Sequence, residues 1–156
     1  MYFIFLFNFH FEVKEQEIQI QKINLQNFLF LELFPSNFYS FFVVLVEDCK
    51  KKGRILGGIC DASAFLGTIS ILNDVNHTSN DLNDLKQWAG CHYEGETKYI
   101  AKQAVRDGNV ITANGTAPLE FAKEILFALN VANERKVMEW YNFHKLGFYT
   151  APMPKM

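Results

Sequence analysis

The sequence predicts an α/β fold with a parallel core, and three features predict it. From residue 47 onward, strand, helix, hairpin and helix signals follow one another in that order. The run "ILGGI" (residues 55–59) is apolar throughout, as suits a strand covered on both faces. It passes at once into helical spacing, with Ala62, Phe65, Leu66, Ile69 and Leu72 along one side. A chain of 156 residues makes a single domain large enough for a real hydrophobic core.

The first 46 residues do not share this regularity. They hold no Gly, Ala, Asp, Arg or Thr, whereas all 9 glycines lie at Gly53 or beyond. Of the 16 phenylalanines, 11 fall within the first 42 residues. Turns between elements draw on Gly, Pro, Asn and Asp, and only "PSN" (residues 35–37) offers one here. The opening "MYFIFLFNFHF" is broken by Asn8 and His10 and is too short to span a bilayer. It also lacks the basic start and small-residue cleavage site of a signal peptide. Residues 1–46 therefore read as an atypical Phe/Asn/Gln/Ile-rich segment, and residues 47–150 as the α/β domain.

Within that domain each element has its own signal. "VEDCKKKGR" (residues 46–54) ends a helix, with cations in the last turn and Gly53 as its stop. "ILGGI" is the first strand, and the helix after it is expected to close near Asn73. "DLNDLKQWAG" (residues 81–90) makes a short helix ending in glycine. "YIAKQAV" and "VITAN" flank "RDGN", where the Asp107–Gly108 pair signals a hairpin. "GTAPLEFAKEILFALN" (residues 115–130) puts Pro118 in a first helical turn, with Ala122, Ile125, Leu126 and Leu129 on one face. The last helix, residues 134–146, aligns Val137, Trp140, Tyr141 and His144 before Gly147.

Charge and cysteine content exclude several function classes. A formal net charge of −2 gives no basic footprint, and "KKKGR" is a short solvated run, so no nucleic-acid partner is expected. Three cysteines without framework spacing fit a reducing compartment, and a cytoplasmic protein that engages no membrane is expected. Cys91 and His92 are adjacent and have no second ligand pair, so neither a metal nor a cofactor is expected. Cys49 reads as a surface or half-buried thiol and His144 as a packed core histidine. Trp88, Trp140 and Tyr141 read as packing or subunit contacts.

Cys60 is the residue that carries a chemical signal. A nucleophile on a sharp strand-to-helix turn needs small neighbours, and Gly58, Ile59, Cys60, Asp61 and Ala62 match that pattern. The following helix would aim its free N–H groups at the sulfur, and the backbone N–H of Asp61 would serve as an oxyanion donor. The Asp61 carboxylate works against a thiolate unless it turns away. From the pattern alone Cys60 reads equally as a nucleophile or as a buried structural cysteine.

A resemblance separates the two. "GRILGGICDASAFLGTISILNDVNHTSNDL", "GNVITANGTAPLEFAKEIL" and "EWYNFHKLGF" resemble, in order, the second half of the ThiJ/PfpI family. That family belongs to the class I glutamine amidotransferase-like superfamily, and "ICDA" is similar to one of its subgroups. The resemblance runs from Glu47 to Phe148 and implies a flavodoxin-like α/β sandwich. It places the family's reactive cysteine at Cys60 and its histidine at His77, in "NHTSN", as thiolate partner or general base. Gly58, Gly115 and Thr116 are candidates to line the pocket, though Gly115 and Thr116 equally suit a tight turn before Pro118.

The resemblance also implies parts that are missing from their expected place. The family carries a Glu after its first strand, near the cysteine, and a Gly-Gly turn that supplies a second oxyanion donor. Glu12, Glu15, Glu17 and Glu32 stand in no matching context, so the role is carried onto none of them. The N-terminal half of the fold is expected to be missing or replaced by AT-rich, out-of-frame translation. The expected function is a cysteine-dependent hydrolase or amidase of the intracellular protease type, acting on a small molecule or peptide, or a chain inactive through that loss. The alternative is a non-catalytic stress-response or redox-sensing protein. A homodimer or higher association is expected, because exposed apolar faces need cover.

Overall fold

The computed structural model describes residues 36–154. Readings made above for residues 1–35, including Glu12, Glu15, Glu17 and Glu32, lie outside the described residues. The chain runs α1 (Ser36–Lys51), β1 (Leu56–Ile59), α2 (Asp61–Thr68), α3 (Leu82–Ala89), β2 (Ala104–Asp107), β3 (Val110–Ala113), α4 (Pro118–Leu129) and α5 (Glu134–Leu146). Among the described residues the sheet has three strands in the order β1-β3-β2. β1 pairs parallel with β3, Leu56 opposite Val110, and β2 closes the hairpin antiparallel to β3. Gly108, at φ 56°, makes the tight turn that the Asp-Gly pair announced.

Helices cover both faces of this sheet. Leu56 and Val110 point into a cluster with Val46 and Cys49 of α1, Ala64 and Leu66 of α2, and Leu85 and Ala89 of α3. Ile59, Ile111 and Ala113 point the other way, onto Phe121 and Ile125 of α4. α5 is tied to α4 where Tyr141 and Lys145 both donate to Glu120, at 2.9 and 2.6 Å. No helix among the described residues is long and apolar enough to cross a membrane.

The two glycines of "ILGGI" explain how two helices reach one short strand. A Cβ on Gly57 would lie 2.8 Å from the Phe121 ring of α4. One on Gly58 would lie 3.0 Å from the Ala62 carbonyl group of α2, on the opposite face. Gly58 thus lets the helix start close over the strand end. Gly58→Ala is expected to cost about 1–3 kcal/mol, because the contact it meets is backbone. Urea unfolding of the full chain measures this, and a variant as stable as the parent would contradict it.

Several expectations need correction. The boundary at residues 46/47 falls inside α1, which runs unbroken to Lys51 with Phe42 and Val46 buried. α2 ends at Thr68 rather than near Asn73, because Ser70 turns to φ 60° and donates to the His92 carbonyl at 2.9 Å. That turn swings Leu72 into the core. Cys49 is 1 % exposed, a core residue and not a surface thiol. His144 is exposed, stacking at 4.9 Å on Trp140, because the buried stripe of α5 is centred on Val137. On α4 the buried positions are Phe121 and Ile125, one residue round from the face centred on Ala122.

Candidate active site

Cys60 occupies the junction between β1 and α2 with φ 59° and ψ −128°. A side chain there is uncommon and strained, at a cost of roughly 1–3 kcal/mol. The surrounding bonds hold it in place. Its N–H donates to the Ala113 carbonyl at 3.0 Å, continuing the β1–β3 pairing beyond the strand. Its carbonyl accepts from the Ser63 N–H at 3.0 Å and from the Ser63 hydroxyl. Ser63, fully buried, shares a further 3.0 Å hydrogen bond with Ser79. The turn lifts the sulfur to a half-buried position at the carboxyl edge of the sheet, where open α/β folds place their sites.

Among the described residues, Asn80, Asp61 and Gly115 lie against the sulfur. The Asn80 side-chain amide donates to Sγ at 3.2 Å, while its Oδ1 accepts the Gly115 N–H at 2.8 Å. A backbone amide only donates, so the carboxamide oxygen must face Gly115 and the NH2 must face sulfur. Sγ also lies 3.6 Å from Asp61 Oδ1, within reach of a thiol donor. Gly115 packs flat against the cysteine; a Cβ on it would approach Sγ to 3.1 Å and Asn80 Oδ1 to 3.4 Å. Asp61 is the first residue of α2, so its N–H has no partner within the helix. The Gly115 N–H is already taken by Asn80.

The structure does not bring His77 to Cys60. His77 is fully buried, with Nδ1 2.8 Å from the Val75 carbonyl and Nε2 2.7 Å from the Tyr93 hydroxyl. The carbonyl can only accept, so Nδ1 carries the proton and Tyr93 donates to Nε2. Burial lowers the imidazole's pKa below its ordinary value, against a smaller opposing effect of the Val75 bond. Burial also pushes Tyr93 up to about 12, with Glu96 and Tyr99 adding to it. The pair is neutral and internally satisfied. The expected thiolate–imidazole pair is not formed, and His77 anchors the chain instead.

The remaining candidates separate as cleanly. Gly115 lies against the sulfur. Thr116 turns away, its N–H and hydroxyl both donating to Asn114 Oδ1 at 3.0 and 2.7 Å. Gly58 is buried beneath α2 and lines packing rather than pocket. Cys91 is exposed, Trp88 is 68 % exposed, and among the described residues no group of three His, Cys, Asp or Glu is placed to hold a metal. Asn80 was missed. The sequence offered its signal in "HTSN", three residues past the histidine, at the end of a stretch whose first three members are buried.

Comparison with known proteins bears on the family and the fold. The model of the DJ-1/PfpI family matches residues 37–128. Two curated Bacillus subtilis (strain 168) proteins are similar. One is the uncharacterized protease YoaZ, 42 % identical over 100 residues, covering 64 % of this chain and 47 % of that protein. The other is the uncharacterized protease YdeA, 35 % identical over 107 residues, covering 67 % and 52 %. A crystal structure of a thiJ/pfpI family protein from Bacillus anthracis superposes with TM-score 0.64 at 36 % identity, over 67 % of this chain and 49 % of that one. A DJ-1 superfamily protein from Agrobacterium tumefaciens gives 0.60 at 38 %, over 67 % and 55 %. The chain spans about half the length of the curated relatives it matches.

Proposed function

This chain belongs to the DJ-1/PfpI family, and from that premise we propose that it is a cysteine-dependent hydrolase of the protease or amidase kind, with Cys60 as nucleophile. One observation carries the reading: a cysteine, not a glycine, is held at φ 59° on the strand-to-helix junction. Strain of this kind persists only where the surroundings enforce it, and it collects at functional positions. YoaZ and YdeA, each named as an uncharacterized protease, support the class.

The chemistry follows from the geometry. The thiolate attacks a carbonyl carbon, forming a C–S bond while the carbonyl electron pair moves onto oxygen. In this reading the N–H of Asp61, in the first turn of α2, donates to that oxyanion. Collapse expels the amine or alcohol, which takes its proton from water, and leaves a thioester on Cys60. Attack by water then releases the acid and restores the thiol. Turnover of p-nitrophenyl esters and p-nitroanilides by the full chain tests the reading. Hydrolysis above the no-enzyme rate, with an acyl adduct on Cys60 by mass spectrometry, supports it; neither adduct nor turnover from any of them contradicts it.

The half-exposed sulfur favours one second reading, a redox sensor. There Cys60 attacks a peroxide, is oxidised to the sulfenic acid and reduces the peroxide to water. Sulfenic acid at Cys60 without ester or anilide turnover would select it. Homodimerisation and a cytoplasmic location belong to the same proposal, resting on the exposed Phe148 and Tyr149 and on the unpaired thiols.

A further inference from the structure

Asn80 makes the contact with sulfur that the sequence assigned to His77, and makes it by different chemistry. The side chain is exposed, yet it stands on a buried base. His77, Thr78 and Ser79 are 0, 1 and 4 % exposed. Each is anchored separately: His77 to Val75 and Tyr93, Thr78 to Thr112 and Lys102, and Ser79 to the Ser63 that pins the elbow. At its far end the carboxamide grips the Gly115 N–H. The donor is thereby fixed at both the backbone and the tip.

We infer that Asn80 sets the reactivity of Cys60, as a fixed neutral N–H donor to the thiolate. The inference rests on reading Cys60 as the nucleophile. An N–H aimed at sulfur favours the anion more than the thiol, because the bond is stronger when the acceptor is charged. It opposes the Asp61 carboxylate, whose Oδ1 lies 3.6 Å from Sγ. A carboxamide has no proton to give or take near neutral pH, so it cannot relay the thiol proton as an imidazole would.

Two variants divide the role. Asn80→Asp keeps an oxygen for the Gly115 N–H and removes the donor to sulfur. Asn80→Ala removes both. Alkylation of the full chain by iodoacetamide at pH 7, read at each cysteine by mass spectrometry, follows Cys60 against the exposed Cys91. Asn80→Ala is expected to slow Cys60 about tenfold, the order of a hydrogen bond to a charged group, and Asn80→Asp at least as much, since its carboxylate also opposes the thiolate. The deficit should shrink as the pH is raised to about 10, where thiolate forms without help. Melting of Asn80→Asp should stay close to the parent. If Asn80→Asp reacts like the parent while Asn80→Ala is slow, Asn80 is only a clamp on Gly115 and the inference fails alone. A parent Cys60 no faster than Cys91 overturns both the inference and the nucleophile on which it rests.

Discussion

Cys60→Ser is expected to lower ester and anilide hydrolysis by the full chain roughly a thousandfold or more, with the fold intact. The size of the loss follows from what touches the side chain. A hydroxyl becomes a useful nucleophile only when an adjacent base takes its proton. Among the described residues the polar side-chain neighbours of Sγ are the Asn80 amide, which is not a base, and the Asp61 carboxylate at 3.6 Å. His77 is engaged with Val75 and Tyr93. A thiol is intrinsically a far stronger acid and nucleophile than a serine hydroxyl, so it asks less of any neighbouring base. Since the serine keeps the same backbone bonds to Ala113 and Ser63, its melt should match the parent's. Kinetics and melting together check this; a serine variant retaining a tenth of the activity would place the chemistry elsewhere.

His77→Ala is expected to cost roughly 2–5 kcal/mol of stability, measured by urea unfolding. The residue is fully buried, so truncation opens a cavity and leaves the Tyr93 hydroxyl without its acceptor at 2.7 Å. The same burial makes a pH signature. In the unfolded chain the imidazole protonates near its ordinary value of about 6.5, while in the folded protein its pKa is lower. Between those two values the unfolded state binds more protons, so stability rises with pH. The contribution is fully present above about pH 6.5 and is lost as pH falls through the folded value. His77→Gln removes it, and its unfolding free energy should show a smaller acid-side slope over that window. An unchanged slope would mean that His77 titrates normally and is not the buried anchor described.

The elements that sequence made legible are those whose boundaries are set locally. Gly53 and Gly90 stop helices, Pro118 starts one, and Asp107–Gly108 makes a hairpin, each by a rule acting over a few residues. The elbow was legible for the same reason, since Gly58, Cys60 and Ala62 lie within one turn of chain. What failed depended on contacts distant in sequence. Cys49 looked like a charged helix end, yet it sits in one core cluster with Leu56, Ile71 and Val110. The α2 terminus is set by Ser70 reaching His92, 22 residues away. The histidine stood in the right motif, but its partner Tyr93 lies 16 residues on and draws it inward. Asn80 meets Cys60 across 20 residues and Gly115 across 35, and no local rule selects it.

The central claim is that the strained junction presents a reactive sulfur. The most direct measurement is the competition among the three cysteines of the native chain for limiting iodoacetamide at pH 7, resolved by peptide mass spectrometry. Cys91, exposed, reports an ordinary surface thiol, and Cys49, 1 % exposed, reports a protected one. Cys60 is expected to be labelled at least about tenfold faster than Cys91 although it is less exposed, because the Asn80 N–H at 3.2 Å supports attack by its sulfur. Labelling in the order of exposure, Cys91 ahead of Cys60 ahead of Cys49, would show that accessibility alone governs the sulfur and would contradict the account.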